Sequence, residues 1–587
     1  MRRGAARWGR GVVLALVGAC GRAEVSDDKG AAADTGATYA EAFRSVRVDA
    51  SLSVPDQLAV HACAGLYNRR LGGSVFVQTD EDVPQSSIDG AVLRDEVWLE
   101  TLGLTPSETV GAQAFLDGCV ADFGGCVHYD YATQQTLLPA ILTAAAATGV
   151  VPLSTGSIAA CAAPNIDAVD VFADRATPIA ATDYAREVYL KDTTGLAMLN
   201  PGYNRQPADL ANPDVTDDMP VALVDLVFSR KLFVTFLVNG CVDGHPEEAV
   251  LDQIIDESGW ETPIGVYGYN DSWLAGGYVY EAQTRCLDAA NMGAIPTRTT
   301  NLSFFDTRRP AITEPAELPT APPPSPAYDP NRTYVAFVIG DGDNIRYIFS
   351  TRRAWLEQRL AACASDPQAC PPLTWTISPH LPDLAPDVLH WYFASAARTG
   401  ADTFMLPPSG YQYAYPSMMP DAVQSTFARR TEEVARLLGT RSVVHWEWFQ
   451  DWTDAVATYL PRYAHADGQI QGVFPVNVPY LAEAFPEWPA DRQVEVLTGE
   501  DGGQVALFRS QSWRGVDGRD DFHPTPAAMA ERLGALPNGT VTWVYMTSDG
   551  GLSFENSYQA LIPLLPEHVT LVSADDAAAL AIDAAGR

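Results

Sequence analysis

Three groups of carboxylate, amide and aromatic residues have types and spacings that could do chemistry. The first is Gly340-Asp341-Gly342-Asp343-Asn344, directly after the apolar run 334–339. Two carboxylates and an amide at the end of a buried strand are costly to desolvate unless they bind something. Their repulsion raises one pKa, which is how a carboxylic acid stays protonated for general-acid work. Asp341 and Asp343 are therefore the catalytic candidates. Asn344 reads equally as a substrate-binding amide and as the cap of a helix beginning near Ile345. The second group is Glu447 and Asp451, set among Trp446, Trp448 and Trp452. Carboxylates flanked by flat rings suit glycosidic cleavage, with one acid for the leaving oxygen and one base or nucleophile. Glu447, at the strand end, is the catalytic candidate. Asp451 reads as substrate-binding or as an acidic residue favouring a helix N-terminus. The third group is Pro407 to Pro416, where Tyr411, Tyr413 and Tyr415 alternate. Each offers a ring for the C–H side of a sugar and a hydroxyl for hydrogen bonding, although an ordinary strand with alternating exposure has the same spacing. Trp513 and Asp549 are further substrate-binding candidates and Asn477 a lesser one, with a plain turn the alternative for Asp549-Gly550-Gly551.

A metal reading competes. His380, in Ser378-Pro379-His380, and His445 could join Asp341 and Asp343 in a site like that of a metal-dependent carbohydrate esterase or deacetylase. The chain has no HxxxH or CxxC spacing, so neither a metal nor another cofactor is expected. No GxSxG elbow supports a serine hydrolase.

These groups must be held by the elements around them. After residue 332, strand-like runs at 334–339, 373–377, 403–406, 443–446, 470–474, 505–508, 541–546 and 569–572 alternate with helical stretches at 346–363, 387–398, 417–438 and 526–536. Strands spaced by helix-sized connections imply parallel βαβ units, and about eight of them suggest a complete or irregular β/α barrel. An open doubly wound sheet is the other solution. In a barrel the active site lies at the C-terminal strand ends, where all three groups fall. Upstream, shorter alternations (74–77, 127–131, 136–147, 232–238, 247–258, 264–269) argue small α/β units. The expected fold is therefore α/β, with small N-terminal α/β subdomains and a C-terminal (β/α) barrel-like domain. Between them, 309–332 carries eight prolines and reads as a linker.

The ends and the bulk composition set the context. The chain has 73 acidic residues against 38 basic ones and a net charge of −35, which repels phosphate backbones, so nucleic acid is not an expected partner. Arg2, Arg3, Arg7 and Arg10 precede a short apolar run, 12–17, far below the ~20 residues needed to span a bilayer. The run ends in Leu16-Val17-Gly18-Ala19-Cys20, which resembles a bacterial lipobox with Cys20 as the lipidated residue. A plain secretory signal is the alternative. Residues 1–20 are thus expected as a lipoprotein signal peptide, 21–42 as a flexible tether, 43–170 as the first α/β domain, 171–308 as the second and third, and 333–587 as the C-terminal domain. The protein is expected outside the cytoplasm, lipid-anchored to the cell envelope (at the outer membrane) or secreted. Setting Cys20 aside, eight of the nine cysteines remain, an even number suited to disulfides in an oxidising compartment. Cys119 with Cys126 and Cys363 with Cys370 are close enough for local bridges. The pairing of Cys63, Cys161, Cys241 and Cys286 is open.

The stretch from Pro408 to Pro416 resembles the signature of the GxGYxYP family of putative glycoside hydrolases. Gly340 to Asn344 is similar to the Asp-Gly-Asp-Asn segment that precedes that signature. Gly65-Leu66-Tyr67-Asn68-Arg69 and Asn301-Leu302-Ser303 resemble motifs of the family's N-terminal domains. The match to the name is offset: with Gly410 as the second glycine, Pro408 stands for the first, and Ala414 intrudes before Tyr415-Pro416. The resemblance implies a carbohydrate-active β/α domain, an exported location and an oligo- or polysaccharide substrate. It names no catalytic pair. The expected function is glycoside hydrolysis by carboxylate acid/base catalysis, with a non-catalytic surface glycan-binding lipoprotein and the metal-dependent esterase as alternatives.

Overall fold

The computed structural model describes residues 42–49, 51–80, 87–88, 91–92, 96–199, 221–237, 240, 244–268, 291–297, 299–320, 324–366, 370–448, 452–476, 488, 492–509, 511–547 and 552–587. The signal, residues 21–41 of the tether, Cys20, Cys241, Cys286, Asp451, Asn477 and Asp549 lie outside the described residues.

The first part of the chain builds small parallel sheets. β1 (Arg44–Val48) is flanked by β2 (Val75–Thr79) and, beyond the hairpin β3 (Ser87–Ile88) and β4 (Ala91–Val92), by β5 (Glu108–Gly111). β6 (Cys126–Tyr129) lies between β7 (Val151–Ser154) and β8 (Ile166–Asp167). β9 (Leu196–Met198), β10 (Phe233–Thr235), β11 (Ile264–Gly268) and β12 (Met292–Ile295) pair in the order β10-β9-β11-β12.

The helix Val54–Leu71 ties these layers together. Ser53 caps it by accepting from the Asp56 amide, and Gly72 at φ 66° ends it. It packs on the helix Val224–Arg230 so closely that a Cβ at Gly65 would lie 2.1 Å from the Asp225 carbonyl oxygen. Two motif asparagines then clamp one strand. Asn68 donates to the Val75 carbonyl at 2.9 Å and accepts from its amide at 2.8 Å. Asn301, at φ 58°, does the same for Val77 at 2.9 and 2.7 Å. Asn68 also donates to Ser303 Oγ at 2.9 Å, so the two N-terminal motifs meet over β2.

The C-terminal part is a larger mixed α/β layer. β13 (Thr333–Ile339) is buried throughout: Tyr334, Ala336 and Val338 enter one apolar cluster while Val335, Phe337 and Ile339 enter another. A strand covered on both faces reads as a continuous apolar run, which is why it was legible in the sequence. Parallel strands β14 (Leu373–Thr376), β15 (Asp402–Met405), β16 (Ser442–His445) and β17 (Gly472–Pro475) follow. β18 (Val494–Thr498), β19 (Gln504–Phe508), β20 (Ser512–Trp513), β21 (Val541–Met546) and β22 (Val569–Val572) complete the set. Pairing runs β15-β14-β13-β21-β20, with β22 also against β13, and separately β16-β17-β19-β18. A parallel bridge, Leu406 to Val443, joins the two sheets, and among the described residues the hydrogen-bonded pairing does not close on itself as a barrel. The helix Ala574–Ala585 covers the inner cluster with Ala574, Ala577, Ala578 and Ala581.

Two expectations need correction. β18 is antiparallel to β19, where only parallel units were expected. The turn between them holds Gly499, Gly502 (φ 88°) and Gly503, and so short a connection can join only antiparallel neighbours. Cys363–Cys370 forms, but Cys119 bonds Cys63 and Cys126 bonds Cys161. Cys119 is buried on the helix Ala112–Asp122, which packs on the helix bearing Cys63, whereas Cys126 opens β6. The segment 309–332 contains no strand among its described residues and is packed down, Ile312 donating to the Pro382 carbonyl at 2.8 Å.

Replacing Asn68 by Ala leaves two buried backbone groups of Val75 without partners, so Asn68→Ala is expected to lower unfolding free energy by about 3 kcal/mol. Asn301→Ala should act similarly, and the double variant should fall short of the sum because both clamp one strand. Urea unfolding of the three variants checks this; a loss under about 0.5 kcal/mol for each single change would contradict the clamp.

Candidate functional site

The acidic loop after β13 is fixed at every residue. The Gly340 amide donates to the Met546 carbonyl at 2.7 Å and the Asp341 amide to Tyr545 Oη at 2.9 Å. The Gly342 amide donates to Thr376 Oγ1 at 2.9 Å, and that hydroxyl donates back to the Ile339 carbonyl at 2.8 Å. No side chain fits at either glycine: a Cβ on Gly340 would lie 2.2 Å from the Tyr545 ring, and one on Gly342 2.1 Å from the Thr376 carbonyl oxygen. Asp341 itself sits at φ 62°, a left-handed conformation that aspartate tolerates better than most residues.

Arg352 holds this loop from beneath. Its Nε donates to the Gly340 carbonyl at 2.7 Å and its Nη2 to Asp341 Oδ2 at 2.9 Å. The guanidinium is almost wholly buried and lies over the rings of Tyr347 and Trp355. Asn344 turns out to cap the following helix, its Oδ1 accepting from the Arg346 amide at 3.1 Å. Asp343 is partly accessible but enclosed by protein on most sides. Burial, and then the neighbouring Asp341 charge, push its pKa up to about 7, against the opposing pull of Arg352 and of the amides of Asp343 and Asn344. The loop thus holds a carboxyl that is protonated about half the time at neutral pH beside one paired with a guanidinium.

The other candidates fall in two places. Glu447 is 1% exposed, its Oε1 accepting from the Ser417 amide at 3.1 Å and its Oε2 from Ser417 Oγ at 2.6 Å. His445 Nε2 lies 3.0 Å from Oε1. Burial pushes the Glu447 pKa up, with His445 and Ser417 opposing. This carboxyl therefore anchors the chain just after the tyrosine loop. Tyr415 is fully buried, stacked on Trp446 at 6.1 Å and tilted against Trp448. Tyr413 is half-buried, 5.8 Å from Trp446, and its backbone pairs with Ala294 of β12. Tyr415, Trp446 and Tyr545 belong to one buried cluster. Tyr411 lies apart from them, beside His380 and Arg430. Trp513 is core, its indole Nε1 within 2.9 Å of the carbonyls of Gly515 and Pro524. Neither Trp513 nor Tyr415 offers a face to a ligand in this conformation. Among the described residues no three His, Cys, Asp or Glu side chains converge as metal ligands.

Sequence reasoning missed Arg352, Tyr545 and Thr376. Arg352 had a signal: a basic residue eleven positions past Asp341 in a helix opening on the acidic loop. Among the described residues three π-helical turns, Ile348–Arg352, Ala455–Tyr459 and Glu555–Gln559, come after β13, β16 and β21 in the chain. Such turns recur at functional sites, and none could be read from periodicity.

Residues 331–484 match the family model described as "GxGYxYP putative glycoside hydrolase C-terminal domain". That segment of the chain is similar to the GxGYxYP C-terminal domain. The acidic loop, the tyrosine loop and Glu447 all fall inside the matched segment. A crystal structure of a "putative hydrolase" from Bacteroides thetaiotaomicron VPI-5482 shares the fold, with TM-score 0.63 and 17% identity over 93% of this chain and 95% of that one. The shared fold therefore extends well beyond the matched segment into the N-terminal sheets. No curated protein matches the chain.

The Asp343 shift has a stability consequence. A carboxyl whose folded pKa exceeds its unfolded value of 3.8 favours the folded state most below pH 3.8, and that contribution is lost as pH rises through about 7. Asp343→Asn, neutral at all pH, is therefore expected to be more stable than wild type at pH 8 by about 2 kcal/mol, allowing for partial solvent access, with the gap shrinking towards pH 4. Thermal unfolding at pH 4, 6 and 8 measures the gap; a difference independent of pH would contradict the raised pKa.

Proposed function

We propose that this protein is a glycoside hydrolase acting on a glycan outside the cytoplasm, with the loop after β13 as its catalytic centre. The observation that carries the proposal is Asp343, whose pKa is raised to about 7 by burial and by Asp341. General-acid cleavage of a glycosidic bond needs a carboxyl still protonated near neutral pH beside a second one that is ionised. In this reading Asp343 protonates the leaving oxygen. Asp341, ion-paired with Arg352, acts as nucleophile or as base towards water. Tyr545, whose hydroxyl accepts from the Asp341 amide, orients that residue. Glu447 is a positioning residue in this scheme, holding Ser417 and the end of the tyrosine loop. Tyr413 lines the approach, and Asp451 and Asp549 remain proposed substrate contacts.

The setting supports the reading. The strands β13, β14, β15, β16, β17, β19 and β21, with the helix Ala574–Ala585 beneath them, read as an irregular β/α barrel whose C-terminal rim holds the acidic and tyrosine loops. The described disulfides suit an oxidising compartment, and no described helix is long and apolar enough to cross a membrane. We place the protein at the cell envelope, anchored through Cys20.

Asp343→Asn and Asp341→Asn are each expected to reduce released reducing ends by at least about 100-fold on whichever glycan in a panel is cleaved, with folding intact. The kcat of the wild type should fall as pH rises above about 7, where Asp343 loses its proton. Glu447→Gln should lower stability more than it lowers kcat. Full turnover in both aspartate variants would reject the assignment, and binding without cleavage across the panel would identify a glycan-binding protein instead.

A further inference from the structure

A second polar cavity lies away from the acidic loop, where the β9–β12 sheet meets the loops after β14 and β15. Its volume is about 270 Å³, and it is lined by Arg230, Glu261, Tyr267, His380, Tyr411 and Arg430 among others. The charges around it are already matched. Arg230 donates to Asp306 at 2.6 Å and to Tyr267 Oη at 3.1 Å and lies 2.8 Å from Asp383. Arg430 is paired with Glu261 and donates to Tyr411 Oη at 3.3 Å. Neither guanidinium is left to hold an anion.

Unsatisfied hydrogen-bonding capacity remains. His380 Nε2 is buried without a partner, and the ring lies 5.5 Å from that of Tyr411. Burial lowers the His380 pKa to about 4, so at neutral pH the imidazole is uncharged, and a ring N–H bonded to the Tyr411 backbone leaves the unpartnered Nε2 as an acceptor. At the mouth, the carboxylates of Asp383 and Glu261 are 59% and 67% exposed and retain free lone pairs. The space is thus rich in acceptors, with the Tyr411 hydroxyl, which accepts from Arg430, keeping its own O–H to donate, and the rings of Tyr411 and Trp260 border it. Vicinal hydroxyls, each both donor and acceptor, match such a lining, and the C–H face of a ring matches the aromatic wall. The volume lies just below the ~300 Å³ at which small-molecule sites begin, which admits one ring and not a polymer segment.

We infer that this junction cavity binds a small neutral polyhydroxylated ligand, a single sugar ring in size, through His380, Tyr411 and the Arg430–Glu261 pair. The site is separate from the proposed hydrolytic centre and does not depend on it. It assigns Tyr411 of the tyrosine loop to this second pocket.

Saturation-transfer NMR on the full chain with neutral monosaccharides (glucose, galactose, mannose, N-acetylglucosamine), and with glucuronate and glucose 6-phosphate as charged controls, tests the inference. At least one neutral sugar should bind wild type and Asp343→Asn equally. Its affinity should fall at least tenfold in His380→Ala and in Thr194→Trp, which fills the cavity from its exposed rim. Circular dichroism checks folding, and His380→Asn replaces His380→Ala if the latter is unfolded. Binding of no neutral sugar, preference for the charged sugars, or binding lost in Asp343→Asn but kept in both cavity variants would overturn the inference. Loss of hydrolysis, or its absence, bears only on the acidic loop.

Discussion

The Arg352 guanidinium is the interaction on which the acidic loop depends. By holding the Gly340 carbonyl and the Asp341 carboxylate together, it keeps one aspartate in left-handed backbone beside another in a desolvated setting. Arg352 pairs with one carboxylate, and burial followed by that neighbouring charge pushes the pKa of the second, Asp343, up to about 7. The glycines on either side are there because Tyr545 and Thr376 occupy the space a side chain would need. The loop thus holds one carboxyl against a guanidinium and a second whose pKa is pushed up to about 7.

The tyrosine loop does more than border a site. The Gln412 side chain lies against the β11–β12 pair, where a Cβ on Gly293 would sit 2.2 Å from its Oε1 and one on Gly265 3.1 Å from its Nε2. Tyr413 pairs with Ala294, and the Ile345 amide of the acidic loop donates to the Pro296 carbonyl at 3.0 Å. One segment, 292–296, therefore touches both the tyrosine loop and the start of the helix after the acidic loop. This physical coupling fits a fold shared with another chain along nearly its whole length. Asn68 and Asn301 act further back, fixing β2 against the helices Val54–Leu71 and Leu302–Arg308.

Much of this was legible because burial leaves a strong trace. β13 and β21 are buried throughout and were located to within a residue, and Asp341 and Asp343 stood out as candidates because carboxylates directly after such a run are costly. Residues acting through three-dimensional proximity left no such trace. Tyr545 lies within a strand, and only the fold brings it to Asp341. Glu447 looked catalytic beside tryptophans, yet its oxygens are engaged by Ser417 and His445 from separate segments. Cys119 and Cys126 are near in sequence, but a helix face and a strand start send them to different partners. Spacing alone carries no information about such choices.

The central claim is that burial and the neighbouring Asp341 charge hold the Asp343 pKa up near 7. It is tested most directly by NMR titration of the protein labelled with ¹³C at aspartate side-chain carboxyls, the Asp343 signal being assigned by its loss in Asp343→Asn. The account predicts a midpoint for Asp343 near pH 7 that moves down when Asp341 is replaced by Asn. A midpoint near 4, unmoved by that replacement, would contradict it.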